Sequence, residues 1–324
     1  MQFQRYFRII SKCLNFFKMK VLQAISFYLF YGFIWLFTWL PLSIQYLFSD
    51  AIFFLTFHVF HYRKKVVFKN LTMSFPEKSH QEIRRIARRF YRHLGDSFIE
   101  SFALMHMRKS DLDNRYQYKN TELINDLYSR GKSIILVMGH YGNWDWCANL
   151  TNVSNHKILA IYKVLHNKYF DKLIKDLRES HGVETIPMES TLRSLLDYKK
   201  KNIPTFTMFL ADQRPRMKNI QYWTTFLNQD TPVLLGPEKI SKKLDMAVVF
   251  FHVRKIKRGY YENEFKLVTD NASEEIEFAI TEKHVRYLEA LIAEEPAHWL
   301  WSHKRWKHKK SEYEKLHKNR VKSA

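Results

Sequence analysis

The sequence predicts an α/β fold, a mixed sheet flanked by helices behind a hydrophobic, helical N-terminal segment. Three observations carry that prediction. Apolar runs alternate with helix-like segments beyond residue 130, a stretch without charge separates Lys20 from Asp50, and a basic helical periodicity lies between them. The runs Ser133 to Met138, Ile158 to Tyr162, Thr205 to Leu210 and Met246 to Val253 have the length and composition of buried strands. Tyr169 to Glu179, Thr191 to Lys200 and Pro237 to Lys243 separate them as helix-like segments. Strands alternating with helices argue for a sheet covered on its faces, and in such sheets sites gather at the carboxyl ends of the strands.

The N-terminal run Val21 to Phe48 contains Trp35, Trp39 and many Phe, Leu and Ile. It exceeds the roughly 20 residues that cross a bilayer core. It is too long for a signal peptide, and no small-residue cleavage site follows it. Ala51 to Phe60 is a second apolar stretch, too short to span. Arg5, Arg8, Lys12, Lys18 and Lys20 precede the first run and Arg63-Lys64-Lys65 follow the second, so both flanks read as cytoplasmic with Pro41 breaking the helix between them. The expected form is a re-entrant or surface-embedded helical pair, with a single spanning helix as the alternative. From Gln81 to Met107, Ile83, Ile86, Phe90, Leu94, Phe98 and Phe102 recur at helical spacing, with Arg84, Arg85, Arg88, Arg89 and Arg92 on other faces. Such a helix packs on a core, lies against anionic lipid, or does both. The expected organisation is a membrane-anchoring segment over residues 1–65, an α/β domain over 66–310 and a basic tail over 311–324.

At 324 residues and 46% apolar composition the chain can bury a sizeable core. Its formal charge of +21 calls for anionic partners, which include lipid headgroups, an acidic carrier protein and nucleic acid. Cys13 and Cys147 provide neither a disulfide framework nor a metal spacing, and Cys147 reads as a small buried thiol.

His140-Tyr141-Gly142-Asn143-Trp144-Asp145 follows the first strand directly. On one helix five positions turn through about 500°, which would separate the two polar side chains, so the pair works only across a turn that Gly139 and Gly142 permit. There, Asp145 could hold one imidazole nitrogen and leave the other free to take a proton from a hydroxyl. The alternative is a structural histidine beside an Asp in a helix's first turn. By the carboxyl-end rule, Lys163 and Asp212-Gln213-Arg214 gather at the same crevice. Asp212 also fits a turn before Pro215, and Arg214 a solvated face.

These residues, with Ala160-Ile-Tyr-Lys163, Asn167-Lys-Tyr-Phe-Asp171, Ala211-Asp-Gln-Arg-Pro215, Phe226-Leu-Asn-Gln-Asp-Thr-Pro232, Gly236-Pro-Glu and the closing block Pro296 to Lys307, make the chain resemble the lysophospholipid acyltransferase superfamily, and within it the late acyltransferases of lipid A biosynthesis. The resemblance covers roughly residues 130–307 and implies a glycerolipid acyltransferase-like fold. It departs from the lipid A branch at Asp145, where Glu is usual, and at Lys163, where Arg is common; a point charge is not equivalent to a planar fork.

The resemblance implies acyl transfer from an acyl carrier protein or coenzyme A thioester to a lipid hydroxyl, most directly on a lipid A precursor, at the cytoplasmic face of a bacterial inner membrane. His140 would be the base, Asp145 its orienting acid and Asp212 a third catalytic group. Gly142, Asn143, Lys163, Gln213, Arg214 and Arg305 would contact substrate. Backbone donors in the Gly139 to Gly142 turn or a nearby cation would stabilise the oxyanion. No cofactor and no metal are expected, and nucleic acid is an unlikely partner. Other acceptors (a lysophospholipid, an aminolipid, another glycolipid) stay open. So does a membrane-tethered nucleic-acid-binding protein, favoured by charge and by the basic tail. A metal-dependent hydrolase lacks any H-E-x-x-H spacing among the 15 histidines. No G-x-S-x-G elbow accompanies His140, so direct transfer is expected rather than an acyl-enzyme.

Overall fold

The computed structural model describes residues 21–315; residues 1–20, with Arg5, Arg8, Lys12, Lys18, Lys20 and Cys13 among them, and tail residues 316–324 lie outside the described residues. Nine strands are found among the described residues: β1 (Tyr116–Lys119), β2 (Ile134–Met138), β3 (Lys157–Tyr162), β4 (Glu184–Pro187), β5 (Thr205–Leu210), β6 (Trp223–Phe226), β7 (Gln229–Pro232), β8 (Ala247–Lys257) and β9 (Tyr260–Thr269). Seven form one sheet in the order β1-β9-β8-β2-β5-β3-β4, and β6 and β7 form a separate antiparallel hairpin. Within the large sheet every pair is parallel except β8 with β9.

All five residues of β2 are buried, as a central strand covered on both faces requires. The helices that flank the sheet include α6 (Thr121–Ser129), α7 (Lys168–Glu179), α8 (Thr191–Lys200), α9 (Gly236–Leu244) and α10 (Ala279–Glu294). The four expected strands and three expected helices are present. The added strands have weaker signals. β9 alternates buried Tyr261, Asn263 and Phe265 with charged neighbours, whereas β1 and β4 have four residues each. The segment that follows the His140 turn is a 3₁₀ helix, Asp145–Asn152.

The N-terminal segment differs from its expected division. One helix, α1, is described over Val21–Phe37, and α2 runs Leu42–Phe54 and continues as a π-helical turn to Val59. The break falls at Pro41, whose ring cannot donate the hydrogen bond a continuing helix needs. Ala51 to Phe60 is therefore no separate short element. Joined to Leu42, it gives 18 residues long and apolar enough to cross a membrane by length and composition.

After α3 (Lys64–Ser74), α4 spans His80–Ala103 and opens on a capping box in which the Ser79 hydroxyl accepts from the Glu82 amide and Glu82 accepts from the Ser79 amide. α5 (Lys109–Arg115) follows it. The expected apolar stripe holds at Ile83, Phe90 and Phe102, holds in part at Ile86 and Leu94, and fails at Phe98. Phe98 is exposed, whereas Asp96, Ser97 and Glu100 are buried. The reason is α2, which lies along this half of α4 and presents hydroxyls to it: Ser49 donates to Asp96 at 2.7 Å and Tyr46 to Glu100 at 2.7 Å.

Gly95 permits that approach, because a Cβ there would lie 2.8 Å from the Ser49 carbonyl oxygen. Gly95→Val should destabilise the fold by about 1–3 kcal/mol through overpacking, read as a lowered midpoint in thermal or denaturant unfolding of the detergent-solubilised protein.

Candidate active site

The register of two strands assembles the site. β2 and β5 pair in parallel with Ile134 opposite Phe206 and Met138 opposite Leu210. The Ala211 amide continues the ladder by donating to the Met138 carbonyl at 3.0 Å. The same offset of 72 residues brings His140 opposite Asp212. The His140 amide donates to Asp212 Oδ2 at 2.9 Å, and Nδ1 of the ring donates to Oδ1 at 2.6 Å. Trp299 Nε1 donates to Asp212 Oδ2 at 2.8 Å. A buried carboxylate is costly unless its oxygens are satisfied, and here three donors meet them.

The charges respond accordingly. Burial alone would push the His140 imidazole down, but the charge of Asp212 and the hydrogen bond to it outweigh burial and raise it above the ordinary histidine value, with Asp145 adding to the rise. Burial would raise the Asp212 carboxyl, yet the charge and hydrogen bonds of His140 and the Trp299 indole hold it down at about 2. Asp212 thus stays ionised and fixes the proton on Nδ1. Nε2 is left as an acceptor, met at 3.2 Å by the Gln213 side-chain amide. The Trp144 ring stands edge-on to the imidazole at 5.1 Å between centroids.

Asp145 was expected in the position that Asp212 holds. In the structure its carboxylate accepts from the Ser101 hydroxyl of α4 at 2.6 Å and from Arg178 of α7 at 3.3 Å. The physical reason is the 3₁₀ helix, which carries Asp145 away from the ring's Nδ1 edge toward α4 and α7. It acts on His140 through its charge.

Asn143 and Gly142 also differ from expectation. Asn143 is buried, donates to Glu100 at 2.8 Å and accepts from the Trp146 amide at 3.1 Å, so its amide group is committed to the fold. Gly142 sits at φ +61°, where a Cβ would come within 2.6 Å of Val253, and its amide donates to the His298 carbonyl. With the His140 amide held by Asp212, two of the turn's backbone donors are already engaged.

Two arginines stand near. Arg305 is buried, its Nε and Nη1 without a hydrogen-bond partner, and desolvation lowers it to about 10 against the favourable charge of Asp212. Arg214 meets His308 Nε2 at 2.8 Å while its own Nε is buried and unpartnered. Lys163 is exposed at the exit of β3. An apolar pocket lined by Met138, Trp144, Ala148, Ala160, Met208 and Leu210 lies at the carboxyl ends of β2, β3 and β5, with Asp145 and Arg178 on its wall. Cys147 is buried and hydrogen-bonded to Tyr116, and burial pushes its thiol far up, so it offers no nucleophile.

Sequence reasoning missed Trp299, Arg178, Ser101 and Glu100. Trp299 lay inside the closing block, but nothing in its spacing announces a donor to a residue 87 positions earlier. From these contacts Asp145→Asn should lower kcat less than Asp212→Asn and should reduce stability by roughly 2 kcal/mol through the weakened Ser101 and Arg178 bonds, measured by melting and single-turnover rates on the same preparations.

A comparison with individually curated proteins returns no match. The family model described as bacterial lipid A biosynthesis acyltransferase matches residues 15–308, which takes in α1 through the closing tryptophan block. That match agrees with the order of the motifs around His140, Asp212 and Trp299, and over so much of its length it shows that the chain is an acyltransferase and belongs to the bacterial lipid A biosynthesis acyltransferase family.

Proposed function

We propose that the protein transfers a fatty acyl chain from an acyl carrier protein or coenzyme A thioester to a hydroxyl of a lipid A precursor at the cytoplasmic face of the inner membrane. The observation that carries the mechanism is the 2.6 Å bond between His140 Nδ1 and Asp212. With that proton fixed, Nε2 takes the proton of the acceptor hydroxyl as its oxygen attacks the thioester carbonyl, displacing the Gln213 amide from the ring. Asp212 stabilises the imidazolium. The tetrahedral intermediate then expels the thiolate, which recovers the proton from Nε2, so the ester and a free thiol leave together.

Arg305 and Arg214 supply the positive charge for the developing oxyanion or for an anionic group of the acceptor. Their unpartnered N–H groups support that role. Lys163 and Gln213 complete the set of substrate contacts, and the apolar pocket beside Trp144 accepts the acyl chain. The basic surface suits an acidic carrier, and the family suggests a membrane-associated protein. Asp145 and Lys163, which depart from the lipid A branch, leave a lysophospholipid or another glycolipid as the second acceptor to test.

Purified protein given a labelled acyl carrier protein thioester should add one acyl chain to the lipid A precursor. His140→Ala should lose roughly 10²- to 10⁴-fold in rate. Transfer to lysophospholipid alone would reassign the acceptor, and undiminished transfer by His140→Ala would reject the mechanism. The raised imidazole must lose its proton to act as a base, so kcat/KM should rise with pH through an apparent pKa above 6.5. In Asp212→Asn the carboxylate charge is gone and burial dominates, so that limb should move below 6.5 while the rate falls roughly 10³-fold. Arg305→Met should lower kcat roughly 10²-fold yet hold or raise the melting temperature, because it removes a buried charge without hydrogen-bonded partners.

A further inference from the structure

The helix formed by α2 and its π-helical turn is apolar around most of its circumference, but its two flanks meet different surroundings. On the inner flank, charged or hydrogen-bonded partners follow it from end to end. Arg258, from the β8–β9 turn, stacks over Tyr46 at 4.3 Å and pairs with Asp50 at 2.8 Å. The Arg92 guanidinium lies 5.1 Å from the Phe53 ring, and the Lys64 ammonium 4.4 Å from Phe57. These residues span about 16 Å of helix at 1.5 Å per residue. On the opposite flank Ile44, Leu47, Phe48, Phe54, Leu55 and Val59 are all exposed. The exposed apolar surface passes to α1 through the contact of Phe37 with Phe48 at 4.9 Å and continues over Leu29, Phe33 and Leu36.

A spanning helix would carry this line of cations through the hydrocarbon, with the Asp50–Arg258 pair near its centre, where charges are costly. A helix parallel to the membrane meets no such conflict. Its cations sit over aromatic rings at headgroup depth and its apolar flank enters the acyl layer.

We infer that α2, with α1, lies in the plane of the membrane interface and does not cross it, so that the protein rests on one leaflet of an anionic lipid surface. Glu100 ties this arrangement to the site, since it accepts from Tyr46 of α2 and from Asn143 of the His140 turn. The site loop therefore lies next to the leaflet, and a lipid hydroxyl reaches it by lateral diffusion. The placement of the helices rests on packing and charge alone, and only the route of the lipid hydroxyl rests on the acyl-transfer reading.

Spin labels on Leu47→Cys and Leu55→Cys, introduced singly into full-length protein carrying Cys13→Ser and bound to mixed phosphatidylethanolamine and phosphatidylglycerol vesicles, test it. Cys147 is buried and does not compete for label. Oxygen and nickel-chelate accessibilities should place both labels at one depth, just below the phosphates. A spanning helix would separate them by about 12 Å, and that result, or two water-exposed labels, overturns the inference. Should either variant fail to fold, Ile44→Cys and Val59→Cys repeat the measurement with an expected separation of about 22 Å for a span and none for an in-plane helix. The readout needs no turnover, so a failure of the acyl-transfer assay leaves it intact.

Discussion

The site depends on the pairing of β2 with β5. Their parallel register carries two polar residues past the ends of two apolar strands and stops them opposite one another, with the His140 imidazole and amide both on Asp212. The constraint is energetic as much as geometric. Asp212 is a buried carboxylate, tolerable because ring N–H, backbone N–H and indole N–H converge on it. Removal of any one donor leaves the other two on a charge they cannot fully satisfy, so the group that orients the His140 imidazole is also a demanding part of the fold.

Much of this was legible in the sequence. β2, β3, β5 and the core of β8 have apolar runs of strand length, and the Gly139 to Gly142 turn announces a strand exit. Which carboxylate meets the histidine was not legible. Asp145 is near in sequence, and proximity along the chain suggested a pair, but sheet order decides the matter: β5, not β3, lies beside β2 although β3 follows β2 in the chain. Residues on opposite sides of a long crossover leave no local pattern. The same reason hid Trp299 and Arg178. The polar half of α4 was hidden because its partners come from distant parts of the chain: α2 brings hydroxyls to Asp96 and Glu100, Lys255 and Arg258 reach Asp96, and Asn143 and Tyr261 reach Glu100.

Glu100 joins regions that the sequence reads as separate. It accepts from Tyr46 in the apolar N-terminal segment, from Tyr261 in β9 and from Asn143 beside the histidine, while its own carbonyl takes the Trp146 indole. The division into an anchor over 1–65 and a catalytic domain from 66 marks a change in hydropathy. Physically α2 is part of the support of the His140 turn, and exchanging it for a generic apolar helix would remove a hydroxyl from a buried carboxylate.

The indole of Trp299 has a consequence for how the protein is made. Residues 140 and 212 leave the ribosome long before residue 299, so the nascent chain carries the histidine and its carboxylate without the third donor. Because that bond awaits the last folded block, the full set of donors on Asp212 arrives only with a nearly complete polypeptide.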